Sequence, residues 1–324
     1  MKRTEITFAN VVFAMLVVFI HVSSEPITKL DTSSWQYLMV MFPWRLSAFV
    51  VQGFVLLSSL KFFLQPEITN YKKYYIRRVK TILIPYVLWN VVYYIYFCDR
   101  EYFACKISDL INYILDGKLV APFYFIIIIV QFYIFMPLWQ KIYRVLNPWF
   151  LIGVSLIITL FVKDFTIPFM NRIPAYLIFW TIGAVIGVNY TTFKKYIEIY
   201  SKHIAISFVI ILSIQMYMAY NLYVLDNKIL YTNQFHIAYC ISAIIFVLLI
   251  GRHVKSCIID LLDNITFDIY LSHCLFLFLI NEYMETNLVY NVGDFYIIRI
   301  LFVYISSIIY GLLAYFVKQT IKTT

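Results

Sequence analysis

Residues 6–24 read ITFANVVFAMLVVFIHVSS, a run with no Asp, Glu, Lys or Arg. As a helix it rises roughly 28 Å at 1.5 Å per residue, close to the ~30 Å hydrocarbon core of a bilayer. The stretch therefore reads as a membrane span. Working outward, the same pattern recurs at Thr81–Cys98, Leu119–Gln140, Leu146–Val162, Ile173–Phe193, His203–Leu225, Ile229–Gly251 and Ile300–Val317. Two further runs tolerate ionisable groups: Gln36–Leu60 contains Arg45, and Cys257–Ile280 contains Asp268. The expectation is an all-α, polytopic integral membrane protein of about ten spans, forming a single domain over residues 1–324. The first run leads into further spans without a small-residue cleavage site, so it is read as a retained helix.

The composition agrees with this. Of 324 residues, 63% are hydrophobic and 13% charged, and the mean hydropathy is +0.81. Soluble domains carry about 25% charged residues, so this chain lacks the charge to cover a water-facing surface. Eight Gly and five Cys exclude a collagenous or disulfide-scaffold class. The net charge of +9 follows the topology. With the N-terminus inside, seventeen Lys and Arg, among them Lys2, Lys61, Lys72 and Lys141, fall on cytoplasmic segments. Only seven fall outside: Lys29, Arg100, Lys106, Lys118, Lys163, Arg172 and Lys228. Glu282, Glu285 and Asp294 are among the outer carboxylates. That asymmetry places both termini in the cytoplasm and removes any need for a nucleic-acid partner. Cys98 and Cys105 flank one outer loop; the five cysteines are read as free thiols, with a Cys98–Cys105 pair as the alternative. No Cys/His spacing fits a metal site.

Ionisable groups inside spans are expensive and so are candidates for function. His21 closes the first run, and Glu25 would share its face if the helix continued one turn, although Pro26 disfavours helix there. His273 lies along the ninth span, five residues from Asp268 and so off its face. Arg77, Arg78 and Lys80 gather where the third span begins, able to hold ligand phosphates or anionic lipid. Gly183 and Gly187 form a GxxxG, a site of close helix approach.

Taken together, these segments resemble the integral-membrane acyltransferase family 3. The likeness rests on Glu5-Ile6 with the apolar run ending at His21, on Phe54-Val55-Leu56-Leu57-Ser58-Ser59, on Arg78-Val79-Lys80 through Pro85-Tyr86, and on Phe267-Asp268-Ile269-Tyr270-Leu271-Ser272-His273. Phe123-Tyr124-Phe125 leading to Met136-Pro137-Leu138 is a weaker match. Asn10, Thr81 and Pro122 stand where the family commonly has Arg, Arg and His. The third segment looks closer to the branch with the polysaccharide intercellular adhesion protein, to which both O-acyl transfer and export are ascribed.

The resemblance implies a multi-pass protein of the bacterial plasma membrane. It would move an acyl group, acetyl or succinyl, from cytoplasmic acyl-CoA to a hydroxyl of a cell-envelope or extracellular glycan, free or lipid-linked. On this expectation Arg77, Arg78 and Lys80 bind the donor. His21 is general base or acyl relay, with Glu25 fixing its imidazole. Arg45, Ser58, Asp268 and His273 are accessory, the first two as oxyanion donors. Acyl-CoA is a co-substrate, and neither cofactor nor metal is required. The competing expectation is a glycan exporter without chemistry; such carriers usually show paired repeats and Gly- or Pro-interrupted helices, which eight Gly and no evident repeat do not favour.

Overall fold

In lipid no water is at hand for a backbone N–H or C=O, so each run must satisfy its own by coiling. The computed structural model describes residues 3–162, 172–230, 232–287, 293 and 295–323, and among them there are helices and turns but no strand. Lys2, Lys163 and Asp294 lie outside the described residues. In chain order the helices are α1 (Thr4–Lys29), α2 (Trp35–Leu46), α3 (Val50–Phe63), α4 (Tyr71–Arg78), α5 (Ile84–Asp99), α6 (Ile107–Asp116), α7 (Tyr124–Ile134), α8 (Met136–Val145), α9 (Pro148–Phe161), α10 (Ile173–Val188), α11 (Tyr190–Ile199), α12 (Ser201–Tyr223), α13 (Thr232–Gly251), α14 (Cys257–Asn287) and α15 (Tyr296–Thr323).

Seven helices among the described residues are long and apolar enough to cross a membrane, counting Trp35–Phe63 and Tyr71–Asp99 as one each, and up to nine if two bent pairs are spans. The pairs are α6 with Ala121–Ile134, bent by 54°, and α10 with α11, bent by 98°. The all-α, multi-span architecture is as expected, with seven to nine of the about ten spans found among the described residues. The run Leu146–Val162 folds as the 14-residue α9, roughly 21 Å long, because Asn147 caps it late: its side chain accepts from the N–H groups of Trp149 and Phe150. The third span differs in the other direction. It begins at Tyr71, ten residues before the uncharged run, because Asn70 accepts from Lys73 N–H at 2.9 Å. The basic cluster is therefore helical.

The chain divides into two compact units, Met1–Phe54 with Thr192–Thr324, and Val55–Thr191, the boundaries falling inside α3 and α11. In the first, α1 packs on α14 and α15 through Val18, Val22, Ile265, Ile269, Leu277 and Val303. Polar contacts set the register. Asn10 donates to Asp263 at 2.7 Å and Thr266 at 3.1 Å. The Tyr304 hydroxyl donates to the Met15 carbonyl, and Tyr296 bonds Ser23, both at 2.7 Å. Stepping eight residues back along α1 matches eight forward along α15, so these two helices run antiparallel. On α12, Ile206, Val209, Ile210 and Ile214 are exposed, as a lipid-facing stripe must be.

In the second unit the GxxxG does what its spacing implies. A Cβ on Gly183 would collide with the Leu56 carbonyl, and one on Gly187 would lie 2.8 Å from the Phe63 side chain. Helices α5 and α6 run antiparallel, the hydroxyls of Tyr94 and Tyr86 donating to the carbonyls of Lys106 and Ile114, each at 2.7 Å. A Cys98–Cys105 disulfide joins their ends, correcting the expectation of five free thiols. Cysteines seven apart were brought within bonding distance by this hairpin, which spacing alone does not reveal. Between α4 and α5, Val79–Leu83 form a π turn, with Ile84 N–H reaching back to the Val79 carbonyl. Pro85 has no N–H to give Thr81, and its ring crowds that carbonyl, so the ladder widens just before it.

Candidate active site

The first unit brings several of the expected residues to one place. Helix α1 runs through Pro26 to Lys29, contrary to the break expected there; a proline near the C-terminal end forfeits one backbone bond and leaves the last turn intact. Glu25 therefore stands on the same face as His21, one turn on. Its carboxylate accepts from Arg299 Nη2 at 2.8 Å, Lys29 Nζ at 2.6 Å and the Asn281 amide at 3.4 Å. Arg299 is fully buried. A pair so placed is costly to bury and costly to break, and it locks the ends of α1 and α15 together beside His21.

The imidazole of His21 lies 5.3 Å from that of His273, centroid to centroid, the planes tilted by 39°. His273 is fully buried. Its Nδ1 donates to the Ile269 carbonyl at 3.2 Å, since a carbonyl only accepts. In the neutral ring this makes Nε2 the acceptor, and the Cys274 thiol donates to it at 3.3 Å. The ring nitrogens of His21, by contrast, bond to nothing among the described residues, and the residue is only half buried.

Of the remaining accessory residues, Asp268 and Arg45 have other partners. Asp268 is held at both oxygens by Lys318 Nζ, at 2.7 and 2.9 Å, which ties α14 to α15. Arg45 lies 6.0 Å from the Tyr223 ring. With the Gln215 amide oriented oxygen-inward, that oxygen accepts from Arg45 Nε at 3.0 Å and Nη2 at 3.1 Å. Ser58 belongs to the second unit, on the part of α3 where the neighbouring Ser59 is fully buried.

The three expected donor-binding cations also belong to the second unit, and helix geometry divides them. Arg77 and Lys80 are exposed. Arg78 turns inward between aromatic rings, its guanidinium carbon 5.2 Å from the Tyr74 centroid and 4.4 Å from that of Tyr133. Its Nε is buried without a hydrogen-bond partner.

Sequence reasoning missed Arg299 and Asn281 as members of the His21 corner. For Arg299 a signal existed, a cation at the start of the last apolar run; for Asn281 there was none, since its role depends on α14 lying beside α1.

The chain belongs to the acyltransferase 3 family: residues 4–317 match its profile, described as an acyltransferase domain. It is thus a multi-pass membrane protein of an acyltransferase class. Similar curated proteins include those of Staphylococcus aureus strains MSSA476, MW2 and MRSA252, each called a probable poly-beta-1,6-N-acetyl-D-glucosamine export protein. Each is 24% identical to this chain, the match covering 84% of it and 81% of the relative. No solved structure matches.

Proposed function

We propose that this protein is an O-acyltransferase of the bacterial plasma membrane that moves an acetyl or succinyl group from cytoplasmic acyl-CoA to a hydroxyl of a cell-envelope or extracellular glycan. The observation that carries the reading is His21, whose ring nitrogens have no partner among the described residues, beside the ion-paired Glu25–Arg299 clamp. As general base, His21 takes the proton of the acceptor hydroxyl while its oxygen attacks the thioester carbonyl. The carbon–sulfur bond then breaks, and the CoA thiolate leaves to be protonated. As a relay, the imidazole itself takes the acyl group and passes it to the hydroxyl. Glu25 acts by holding α1 against α15, with its charge already balanced by Arg299.

Both termini lie in the cytoplasm in this reading. The distribution of Lys and Arg supports it, and so does the disulfide, since Cys98–Cys105 belongs in an oxidising exterior and follows three spans. From Glu5 to His21, α1 rises roughly 24 Å, which sets His21 toward the outer, glycan side. Donor phosphates are held by Arg77, Arg78 and Lys80. Arg78 suits this because stacking on rings orients a guanidinium without neutralising it.

The name of the staphylococcal relatives favours a second reading, export of a glycan without chemistry. One experiment separates the two: release of free thiol from acetyl-CoA and succinyl-CoA by detergent-purified protein with a glycan acceptor mixture. Release by the wild type and none by His21→Ala supports acyl transfer; no release and no CoA binding by the wild type supports export.

A further inference from the structure

The second unit contains a cavity of about 600 Å3 where α5, α6 and α7 meet, within the usual volume range for small-molecule sites. It lies where the α6–α7 run bends, beside Gly117, whose φ of 65° makes the turn. Irregular backbone at membrane depth is tolerated where it is buried in protein or lines a cavity, and this cavity has the polar groups of a binding site.

Three features specify the ligand. Gln131 is 6% exposed and lines the cavity, and its Oε1 has no hydrogen-bond partner among the described residues. Such an acceptor costs about 1–3 kcal/mol to bury, and a hydroxyl or N–H from a ligand would satisfy it. Lys118 and Arg172 also line the cavity, with one carboxylate, Asp116, which pairs with Lys118 at 2.6 Å. Arg172 lies 5.5 Å from the Tyr124 centroid, and among the described residues the lining carries two cations against one carboxylate. Apart from Asn112 and Tyr86 the remaining wall is apolar, including Leu115 and Val130. Leu115 continues an exposed stripe on α6 with Ile107 and Ile111, at the four-residue spacing that puts all three on one face.

We propose that this cavity binds the head group of an anionic lipid that carries a free hydroxyl: the anion on Arg172, the hydroxyl donating to Gln131, and the acyl chains along the apolar face of α6. The site is separate from the acyl-transfer reading and does not depend on it, because binding is measured without turnover.

The test titrates the purified full-length protein with phosphatidylglycerol, phosphatidylcholine of the same chains, and glycerol 1-phosphate, counting bound molecules by native mass spectrometry. Melting temperature is followed for Gln131→Leu and Arg172→Gln. The expected result is saturable binding of phosphatidylglycerol, weakened about tenfold by either substitution as a charge-assisted or buried hydrogen bond is lost. Phosphatidylcholine, which has no hydroxyl, should bind at least about tenfold more weakly by the same arithmetic. If Gln131→Leu does not fold, Arg172→Gln at the rim carries the test. Equal affinity of wild type and folded variants for phosphatidylglycerol, or equal binding of the two lipids, would overturn the proposal. Glycerol 1-phosphate binding as tightly as the lipid would overturn the lipid assignment and make this a site for a soluble phosphate.

Discussion

Two cations in each unit are held in contrasting ways, while Arg45 of the first unit lies by Tyr223 and Gln215. In the first, Arg299 meets Glu25 and Lys318 meets Asp268. In the second, Arg78 rests between Tyr74 and Tyr133, and Arg172 rests over Tyr124. An ion pair has its charge cancelled, so it fastens helices. A cation on an aromatic ring keeps its net charge and its outward donors. On the proposed reading, the first pair of cations fastens helices and the second pair binds anions.

The sharpest way to break this division is at Arg299. Arg299→Met leaves the partly buried Glu25 carboxylate with only Lys29 and Asn281 as partners and should cost about 1–3 kcal/mol, read as a fall in melting temperature. Combining it with Glu25→Gln should restore most of that loss. A single variant as stable as wild type would mean the pair does not fasten α1 to α15.

Next in size is Arg78. Arg78→Gln should weaken acyl-CoA binding about tenfold or more, the worth of a charge-assisted hydrogen bond, while costing about 1 kcal/mol or less in stability from the lost ring contacts. A variant that melts early but binds CoA normally would turn Arg78 into a structural residue and erase the contrast.

Asp268→Asn tests the opposite end of the scale. Lys318 is 57% exposed, so the bridge is worth only about 1 kcal/mol, and thiol release should be unchanged. A loss of activity at normal stability would return Asp268 to the site.

How much of this was legible in the chain follows from where each signal resides. The spans were visible because apolar run length is a local property, and His21 was visible because it interrupts one. The bends after Asp116 and Val188 were not, since a run continues in sequence while its axis turns. Pro26 pointed the wrong way. Its sequence rule concerns the helix interior, whereas here only the last turn follows it. The Glu25–Arg299 pair spans most of the chain, and a contact between distant residues leaves no mark in either neighbourhood. The division of Arg77, Arg78 and Lys80 was half legible: helical spacing separates Arg78 from the other two, but its Tyr133 partner comes from α7.

The smallest effect concerns sidedness. A membrane-impermeant maleimide, applied from outside after reduction, should modify Cys98 and Cys105, whereas exposed Cys257 should react only in inverted vesicles. Labelling of Cys257 from outside would reverse the orientation.

The central claim is transfer of an acyl group across the bilayer by His21. It is tested most directly in proteoliposomes with radiolabelled acetyl-CoA or succinyl-CoA on the cytoplasmic face and glycan on the other. The account predicts label in the glycan with wild-type protein and background with His21→Ala at equal reconstitution. Label that His21→Ala leaves unchanged, or glycan that wild-type protein never labels from either donor, would contradict it.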